Sequence, residues 1–251
     1  MIVTIIGTGN VASVLSKLIF QKGHTIAQIF GRNLNNATTL AKAVNAQPVT
    51  AIKDITKGAD IYIMAVSDKA IEEISTNWQL NDKIIVHTAG AINKSVLQHI
   101  SLNYGVLYPI QSLKSNMSLE TTIPFLIDGN NDNTLSVLKT FAESLSTFVN
   151  YGNDEQRLQL HIAAVFANNF VNFMYAQSAN ICSANKINFE LLYPLIEATA
   201  NNIKTQQPKE LFTGPAIRKD EITIAKHLNA LQNEPKLLEQ YQTLTKWLME
   251  N

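Results

Sequence analysis

The sequence predicts an α/β fold, with a doubly wound sheet in residues 1–152 and an all-α domain in residues 153–251. Short β-branched runs alternate with helical patterns as far as Tyr151, which is typical of a sheet with helices on both faces. After Gly152 the apolar residues recur at intervals of three and four, the spacing of a helix. A division near Gly152 therefore separates a sheet domain from a helical domain.

The N-terminus combines a strand, a glycine turn, a helix and a second strand. Ile2 to Ile6 is an apolar run, apolar residues then recur at helical spacing, and Thr25 to Phe30 forms the second strand. The intervening turn is Gly7-Thr8-Gly9-Asn10-Val11-Ala12, a G-x-G-x-x-A pattern that lets backbone N–H groups approach a pyrophosphate closely. We therefore predict a Rossmann-type dinucleotide site at the start of the first helix. The alternative is an ordinary glycine turn between a strand and a helix.

The end of the second strand favours NADP over NAD. An NAD site usually places Asp or Glu at this point to bind the ribose 2′-hydroxyl. Here the sequence is Gly31-Arg32-Asn33, and no acidic residue precedes Asp54. Arg32 suits a 2′-phosphate and Asn33 adds a neutral donor, so NADP is the predicted cofactor. In the alternative interpretation Arg32 is a solvated surface residue.

Two later strands end in small or hydrogen-bonding residues. Ile61 to Val66 is followed by a Ser-Asp pair, and Lys83 to Val86 is followed by a His-Thr pair. Ligands of open α/β sheets bind beyond the carboxyl ends of the strands. The residues predicted to flank the cofactor here are Val66, Ser67, Asp68, His87 and Thr88. A helix N-cap is a compatible alternative role for Asp68.

The helical domain is predicted to open with a long uncharged helix. Asn153-Asp154-Glu155-Gln156 resembles a capping box, and no Asp, Glu, Lys, Arg, Gly or Pro occurs from Leu158 to Asn185. Its many asparagines make insertion into a bilayer costly, so we interpret the helix as buried in protein. We expect a second subunit to help to cover it, which gives a homodimer through the C-terminal domain.

One side of this helix is polar but carries no charge. When the helix is projected at about 100° per residue, one side gathers apolar residues: Ala163, Phe166, Phe170, Phe173 and Met174. The polar residues on the opposite side are His161, Asn168, Asn172 and Tyr175. A solvated face would ordinarily carry Lys and Glu, so this stripe indicates a cleft or a partner subunit. The alternatives are a core histidine bonded to a carbonyl and polar contacts between helices.

Composition argues against several classes of function. Lys+Arg and Asp+Glu both number 20 and no basic run occurs, so neither nucleic acid nor a membrane surface is an expected partner. Cys182 is the only cysteine, which suits a reducing cytoplasm and leaves no disulfide framework. No cluster of metal ligands is predicted. The N-terminal apolar run is broken by glycines, so we interpret it as a core strand and not a signal peptide.

Four segments resemble a bacterial family of Rossmann-like proteins with a DUF2520 C-terminal domain. These segments are Val86 to Gly90, Tyr108 to Ser112, His161 to Phe170 and Thr213 to Asp220. The resemblance covers essentially the whole chain and implies an NADP oxidoreductase, without naming a substrate. More distantly, the chain is similar to pyrroline-5-carboxylate reductases, ketopantoate reductases and 3-hydroxyacid dehydrogenases. In those proteins the first helix after the Rossmann domain supplies substrate-binding and catalytic groups.

The comparison with ketopantoate reductases suggests roles along the long helix. Those enzymes carry a Lys followed by Asn four and eight residues later; Asn168 and Asn172 match the asparagines, whereas Ala164 replaces the lysine. His161, one turn earlier, becomes the candidate proton donor, because histidine ordinarily titrates near neutrality. The segment from Thr213 to Asp220 is either a connecting loop or a flap that brings Arg218 towards an anionic group.

The predicted function is an NADPH-dependent reductase of a small C=O or C=N substrate, with His161, Asn168 and Asn172 as candidate catalytic residues. Two alternatives stay open. One is a non-catalytic NADP-binding sensor or regulatory protein. The other is an oxidoreductase of similar fold that depends on the deazaflavin coenzyme F420.

Overall fold

The computed structural model describes residues 1–76 and 78–250. Its strands are β1 (Ile2–Ile6), β2 (Thr25–Phe30), β3 (Gln47–Val49), β4 (Ile61–Met64), β5 (Asn81–His87), β6 (Ser101–Pro109), β7 (Phe125–Gly129) and β8 (Val149–Tyr151). Its α-helices are α1 (Asn10–Gln21), α2 (Leu34–Ala43), α3 (Asp68–Ser75), α4 (Asp132–Leu145), α5 (Asp154–Ala164), α6 (Val171–Ala184), α7 (Tyr193–Asn202), α8 (Glu221–Ala230) and α9 (Pro235–Met249). A π-helical segment, Val165–Phe170, joins α5 to α6.

In the described part of the chain the strands form one sheet in the order β3-β2-β1-β4-β5-β6-β7-β8. Neighbouring strands run parallel, except that β6 and β7 are antiparallel. The strand order reverses between β1 and β4, and the carboxyl edge at such a switch point is where open α/β sheets bind ligands. The predicted class, a doubly wound sheet followed by a helical region, is confirmed.

The sheet separates two hydrophobic cores. Side chains alternate along β4, so that Ile61 and Ile63 pack in the core that contains α1 and α4, whereas Tyr62 and Met64 pack in the core that contains α3. All four are fully buried. Because both faces of β4 are covered, its sequence is a continuous apolar run, and this is why the strand could be predicted.

Three details of the sheet differ from the predicted elements. The strand β4 ends at Met64, before the apolar run itself ends at Val66. The short strand β8 had no sequence signal of its own. The strand β7 is antiparallel to β6 because the described segment 110–124 between them contains no crossover helix, and a parallel return would need one.

The chain divides into two compact units, Met1–Asn169 and Phe170–Asn251. This division lies within the π-helical segment, whereas the sequence places a domain boundary after Gly152, and that boundary stays a prediction. The predicted capping box of α5 is confirmed: the Asn153 side chain accepts the Gln156 N–H at 2.9 Å, and the Gln156 side chain accepts the Asn153 N–H at 3.0 Å. Over residues 1–76 and 78–250, no helix has the length and apolarity that a membrane span requires.

Candidate functional site

The glycine turn lies at the carboxyl ends of β1, β2 and β4. Gly7 adopts a φ of +129°, and a Cβ atom on it would lie 2.1 Å from the Ala65 carbonyl oxygen, so that only glycine fits here. Its N–H donates to the Phe30 carbonyl at 2.8 Å. The turn is therefore fixed against the ends of both neighbouring strands.

The helix α1 begins directly after this turn with an uncapped N-terminus. Gly9 occupies the N-cap position and has no side chain to accept from the first N–H groups, and the first turn contains no acidic residue. The first N–H groups of a helix lack intrahelical partners, and the helix dipole favours an anion beside them. This part of the structure fits the pyrophosphate of a dinucleotide.

A cavity of about 740 Å³, here called the glycine-turn cavity, borders this helix start. It is lined by ten of the predicted cofactor residues: Gly7, Thr8, Gly9, Asn10, Val11, Gly31, Arg32, Val66, Ser67 and Thr88. The structure thus brings the glycine turn together with the ends of three other strands, as the rule for carboxyl edges predicts.

The other lining residues are Phe30, Thr50, Ile52, Ala65, Ala70, Glu73 and Ile74. Of these, Ala65, which directly precedes Val66, was expected from the sequence to flank the cofactor, and the rest were missed. The signal for Thr50 was present, because this residue follows β3 at another carboxyl end. Helical spacing also puts Ala70 and Ile74 on one face of α3. Among the described lining residues Glu73 is the acidic one, and its half-exposed carboxylate lies 4.0 Å from the Lys69 ammonium.

Four predicted cofactor residues lie outside the lining of this cavity. Ala12 is fully buried where α1 packs on the sheet, which suits its small size. Asn33 is the N-cap of α2 and accepts the Asn36 N–H at 3.0 Å. Asp68 is the first residue of α3, with Ser67 at the N-cap position. His87, the fourth, is fully buried.

The burial of His87 changes its expected chemistry. Its Nδ1 accepts the Ala89 N–H at 3.2 Å. Burial, and after it the charge of Arg157, lowers the pKa of His87 to about 3, although the charge of Asp154 and hydrogen bonding to the Asn93 backbone act in the opposite direction. The imidazole is therefore neutral near pH 7, and it holds the start of the loop that follows β5.

A second cavity of about 540 Å³, here called the histidine cavity, is lined by Tyr108, Gln111, Ser112, His161 and Asn168 among others. The Tyr108 hydroxyl oxygen lies 2.9 Å from Nδ1 of His161, and the two rings meet edge to face with centroids 5.9 Å apart. The structure thus brings His161 and Asn168 together. Asn172, the third candidate catalytic residue, lies in α6 and belongs to the second unit.

The loop after β5 packs against His161. A Cβ atom on Gly90 would lie 2.6 Å from Cγ of His161 and 2.7 Å from its Nδ1. Such distances are shorter than real carbon contacts, so the imidazole needs a glycine at this position. Gly90 follows Thr88, which lines the glycine-turn cavity, by two residues. One short loop therefore lines the glycine-turn cavity and packs against His161, a lining residue of the histidine cavity.

A buried charged cluster fixes this loop to the first turn of α5. The Arg157 side chain is 1% exposed; its Nη2 donates to the Ile92 carbonyl and, at 2.6 Å, to Oδ1 of Asp154. Lys94 lies 2.5 Å from Asp128 and 3.8 Å from Asp154. Burial raises the pKa of Asp154, but hydrogen bonds from Arg157 and the Lys94 N–H, together with their charges, hold it below its ordinary value. Arg157 is not among the site residues predicted from the sequence.

Comparisons with known proteins identify two family models that match parts of this chain. The model of the family described as "NADP oxidoreductase coenzyme F420-dependent" matches residues 2–90, and the model described as "Domain of unknown function (DUF2520)" matches residues 123–247. A candidate NADP oxidoreductase from Bacteroides fragilis has a similar solved structure, with a TM-score of 0.91 and 34% identity over 100% of this chain and 98% of that chain.

More distant relatives share the fold. A 1-pyrroline-5-carboxylate reductase from Streptococcus pyogenes has a TM-score of 0.68 at 16% identity, covering 100% of this chain and 99% of that chain. An imine reductase from Myxococcus stipitatus, solved in complex with NADP+, has a TM-score of 0.71 at 16% identity, covering 100% and 93%. The curated L-aspartate dehydrogenase of Methanocaldococcus jannaschii is 29% identical over 93 residues, and the match spans only 35% of each protein.

Fold, glycine turn and relatives together define a Rossmann-type protein of the NAD(P)-dependent oxidoreductase class. Within that class, the chain belongs to the DUF2520 family of Rossmann-like proteins, as the similarity over its full length to the Bacteroides fragilis protein shows.

Proposed function

We propose that the protein is an NADPH-dependent reductase of a small C=O or C=N substrate. The observation that supports this most directly is the loop after β5. Thr88 of this loop lines the glycine-turn cavity, and Gly90, two residues later, lies against His161, which lines the histidine cavity. This arrangement supports a reductase, which needs a dinucleotide site and a proton donor near each other.

The glycine-turn cavity has the groups that NADPH needs. Backbone N–H groups at Gly9 and the start of α1 would bind the pyrophosphate, and Arg32 would pair with the 2′-phosphate. NADPH, when bound, supplies the hydride that reduces the substrate carbon. The protein contributes orientation, exclusion of water and a proton.

The histidine cavity supplies the remaining groups. His161 donates the proton that the substrate oxygen or nitrogen requires, and the Asn168 amide binds the substrate. We assign a substrate-binding role to Asn172 as well, on the basis of its alignment with Asn168 in the sequence.

Calorimetric titration tests the choice of cofactor. We expect NADPH to bind at least about tenfold more tightly than NADH, which corresponds to about 1.4 kcal/mol. Arg32→Ala should abolish that preference, whereas Lys22→Ala, which changes an exposed cation outside the cavity lining, should keep it. Equal affinities in the wild type, or a preference that survives Arg32→Ala, would contradict this assignment.

A substrate screen that follows NADPH absorbance tests catalysis. Once a substrate is found, His161→Ala should lower kcat by about a hundredfold or more with little change in NADPH affinity. Full turnover in this variant would show that another group supplies the proton.

Two other outcomes of the screen would favour the alternative functions. Tight NADPH binding without turnover of any carbonyl or imine would favour the non-catalytic NADP-binding sensor. Turnover that needs an added deazaflavin would favour the F420-dependent alternative, which the N-terminal family match supports.

We also propose that the protein is a homodimer in the cytoplasm, assembled through its helical region. The basis for the dimer is the apolar surface of that region in a single chain: Phe173 is 44% exposed, Leu191 72% and Leu195 64%. Light scattering at micromolar concentrations should give twice the mass of one chain. A monomeric mass would contradict the proposal.

A further inference from the structure

The side chain of His161 is fixed from two directions by residues that the proposed chemistry has not used. The Tyr108 hydroxyl oxygen lies 2.9 Å from Nδ1 on one side, and the Gly90 backbone lies against the ring on the other. Only Nδ1 has this tyrosine partner. Nε2 is therefore the ring nitrogen on which proton transfer to a substrate can occur.

The direction of the hydrogen bond follows from the charge state that an acid requires. An imidazolium ion carries hydrogen on both nitrogens, so a hydroxyl at Nδ1 must accept from it. When the proton on Nε2 leaves, the Nδ1–H bond to the tyrosine can persist and the ring becomes neutral. If Tyr108 instead donated to Nδ1, the neutral ring could lose its Nε2 proton only by becoming an imidazolate, which is not a useful acid near pH 7.

Tyr108 is suited to remain a neutral acceptor. Burial raises its pKa from the ordinary value of 10.0, while the charge of Arg157 has a smaller opposite effect. Its ring is 7% exposed and packs edge to face on the imidazole. The hydroxyl therefore keeps its own proton, and its oxygen is available to accept from an Nδ1–H of His161.

We propose that Tyr108 and Gly90 are positioning residues that keep hydrogen on Nδ1 of His161 and make Nε2 the atom that donates the proton. This inference rests on the proposed function and adds the tautomer and the two residues that select it. In the reduction, the substrate carbon gains a hydride from NADPH. The substrate oxygen or nitrogen gains the proton from Nε2, and His161 ends as the neutral Nδ1–H tautomer.

The second unit contains a matched control. His227 and Tyr241 form the same kind of pair, with Nδ1 and the hydroxyl oxygen 2.7 Å apart and ring centroids 5.6 Å apart. Tyr241→Phe removes the same atom as Tyr108→Phe, but from a pair outside the histidine cavity. An effect that both variants share comes from the loss of a tyrosine hydroxyl in general, and not from a specific role of Tyr108 at His161.

Histidine ring nitrogens labelled with ¹⁵N allow the tautomer to be read by NMR without a substrate, with His161→Gln used to assign the signal. At a pH where His161 is neutral, the wild type should show the Nδ1–H form. Tyr108→Phe should lower the ratio of Nδ1–H to Nε2–H by about fivefold, the effect of one ordinary hydrogen bond. Tyr241→Phe should leave the His161 signal unchanged.

Gly90→Ala provides an independent variant, because its methyl group would displace the ring from Tyr108. We expect the same loss of the Nδ1–H form with the tyrosine still present. An Nε2–H tautomer in the wild type, or an unchanged signal in Tyr108→Phe, would overturn the inference. Neither result would contradict NADPH binding or the role of His161 as a proton donor, because calorimetry and the His161→Ala variant test those separately.

Kinetics with a substrate give the functional readout. Tyr108→Phe should lower kcat by about tenfold, since hydrogen bonds to charged groups contribute more than neutral ones. The KM for NADPH should be unchanged, and the alkaline limb of the pH profile should move to lower pH. Unchanged kcat and pH profile in Tyr108→Phe, alongside a large loss in His161→Ala, would refute the positioning role while retaining the proposed function.

Discussion

The two compact units differ in how well each buries its own apolar residues. In Met1–Asn169 the side chains of β4 are fully buried in two cores, one on each face of the sheet. In the described part of Phe170–Asn251, the apolar residues that are buried are Cys182 and Ala216, at 8% and 6% exposure, whereas large apolar side chains such as Leu191 stay exposed. A unit with so little buried apolar surface gains little of the free energy that usually stabilises folded domains.

We infer from this difference that the two units obtain their stability in different ways. The first unit has the core of an independent domain and contains both cavities. The second unit presents an apolar surface of the kind that protein partners cover. If the homodimer proposal is correct, the stability of the second unit depends on protein concentration, and that of the first does not.

The largest expected effect is on assembly. The double variant Leu191→Lys with Leu195→Lys puts two charges on the apolar surface of the second unit, where these side chains are 72% and 64% exposed in the single chain. We expect dimerisation to weaken by about a hundredfold or more, since burying each leucine contributes about 1.5–3 kcal/mol. Sedimentation equilibrium measures the change.

Leu102→Lys is the matched control for this variant. Leu102 is 74% exposed, but it lies in β6 of the first unit. The control should leave the dimer intact. If Leu102→Lys weakens dimerisation as much as the double variant does, or if the double variant leaves the association constant unaltered, the apolar surface of the second unit is not the dimer interface.

The next effect is on the stability of the first unit. Arg157→Met removes a buried guanidinium and leaves Asp154 without its closest charged partner. Because the Asp154 side chain is 24% exposed and keeps Lys94 as a partner 3.8 Å away, the expected cost is that of lost hydrogen bonds to a charged group, about 1.5–3 kcal/mol, and urea unfolding should show a loss of this size. Lys139→Met breaks an exposed pair with Glu143, 3.9 Å apart, and should change the free energy of unfolding by less than about 1 kcal/mol. Similar values for both variants would mean that the buried cluster does not stabilise the loop after β5.

A smaller effect concerns acid sensitivity. Because the folded-state pKa of His87 is about 3, below the ordinary 6.5, its contribution to stability is complete above pH 6.5 and is lost as pH falls towards 3. Between pH 7 and pH 5 this loss should be about 2 kcal/mol. His87→Asn retains an acceptor for the Ala89 N–H but does not titrate, so unfolding by urea at both pH values should show a flatter dependence. His99→Asn, at an exposed position, should keep the slope of the wild type, and an equal slope in all three proteins would contradict the assignment.

The first unit could be predicted in more detail than the second because its signals are local. The glycine turn and the apolar run of β4 each specify an element by themselves, and the rule for carboxyl ends then placed Arg32 and Thr88 in one cavity. The roles of Tyr108 and Arg157 were missed because their partners, His161 and the Ile92 carbonyl, are distant in the sequence. Glu73 was missed because only the tertiary structure places it in the lining of the glycine-turn cavity. His87 was placed beside the cofactor since it ends a strand, but only the tertiary structure shows that its ring is buried.

The smallest expected effect compares one helix cap in each unit. Asn153 caps α5, where the buried cluster fixes the first turn, and Asp220 caps α8 by accepting the Thr223 N–H at 3.0 Å. Asn153→Ala should cost about 1 kcal/mol, since it leaves a helix N–H without an acceptor, and Asp220→Ala should destabilise the second unit for the same reason. Asn153→Ala should lower only the transition of the first unit, and Asp220→Ala only that of the second, in calorimetry and in amide hydrogen exchange. Asn153→Ser keeps an acceptor and should restore most of the loss. If instead each variant lowers the protection of amides in both units by the same amount, the two units unfold together, because a local cost can appear everywhere only when the transition is shared.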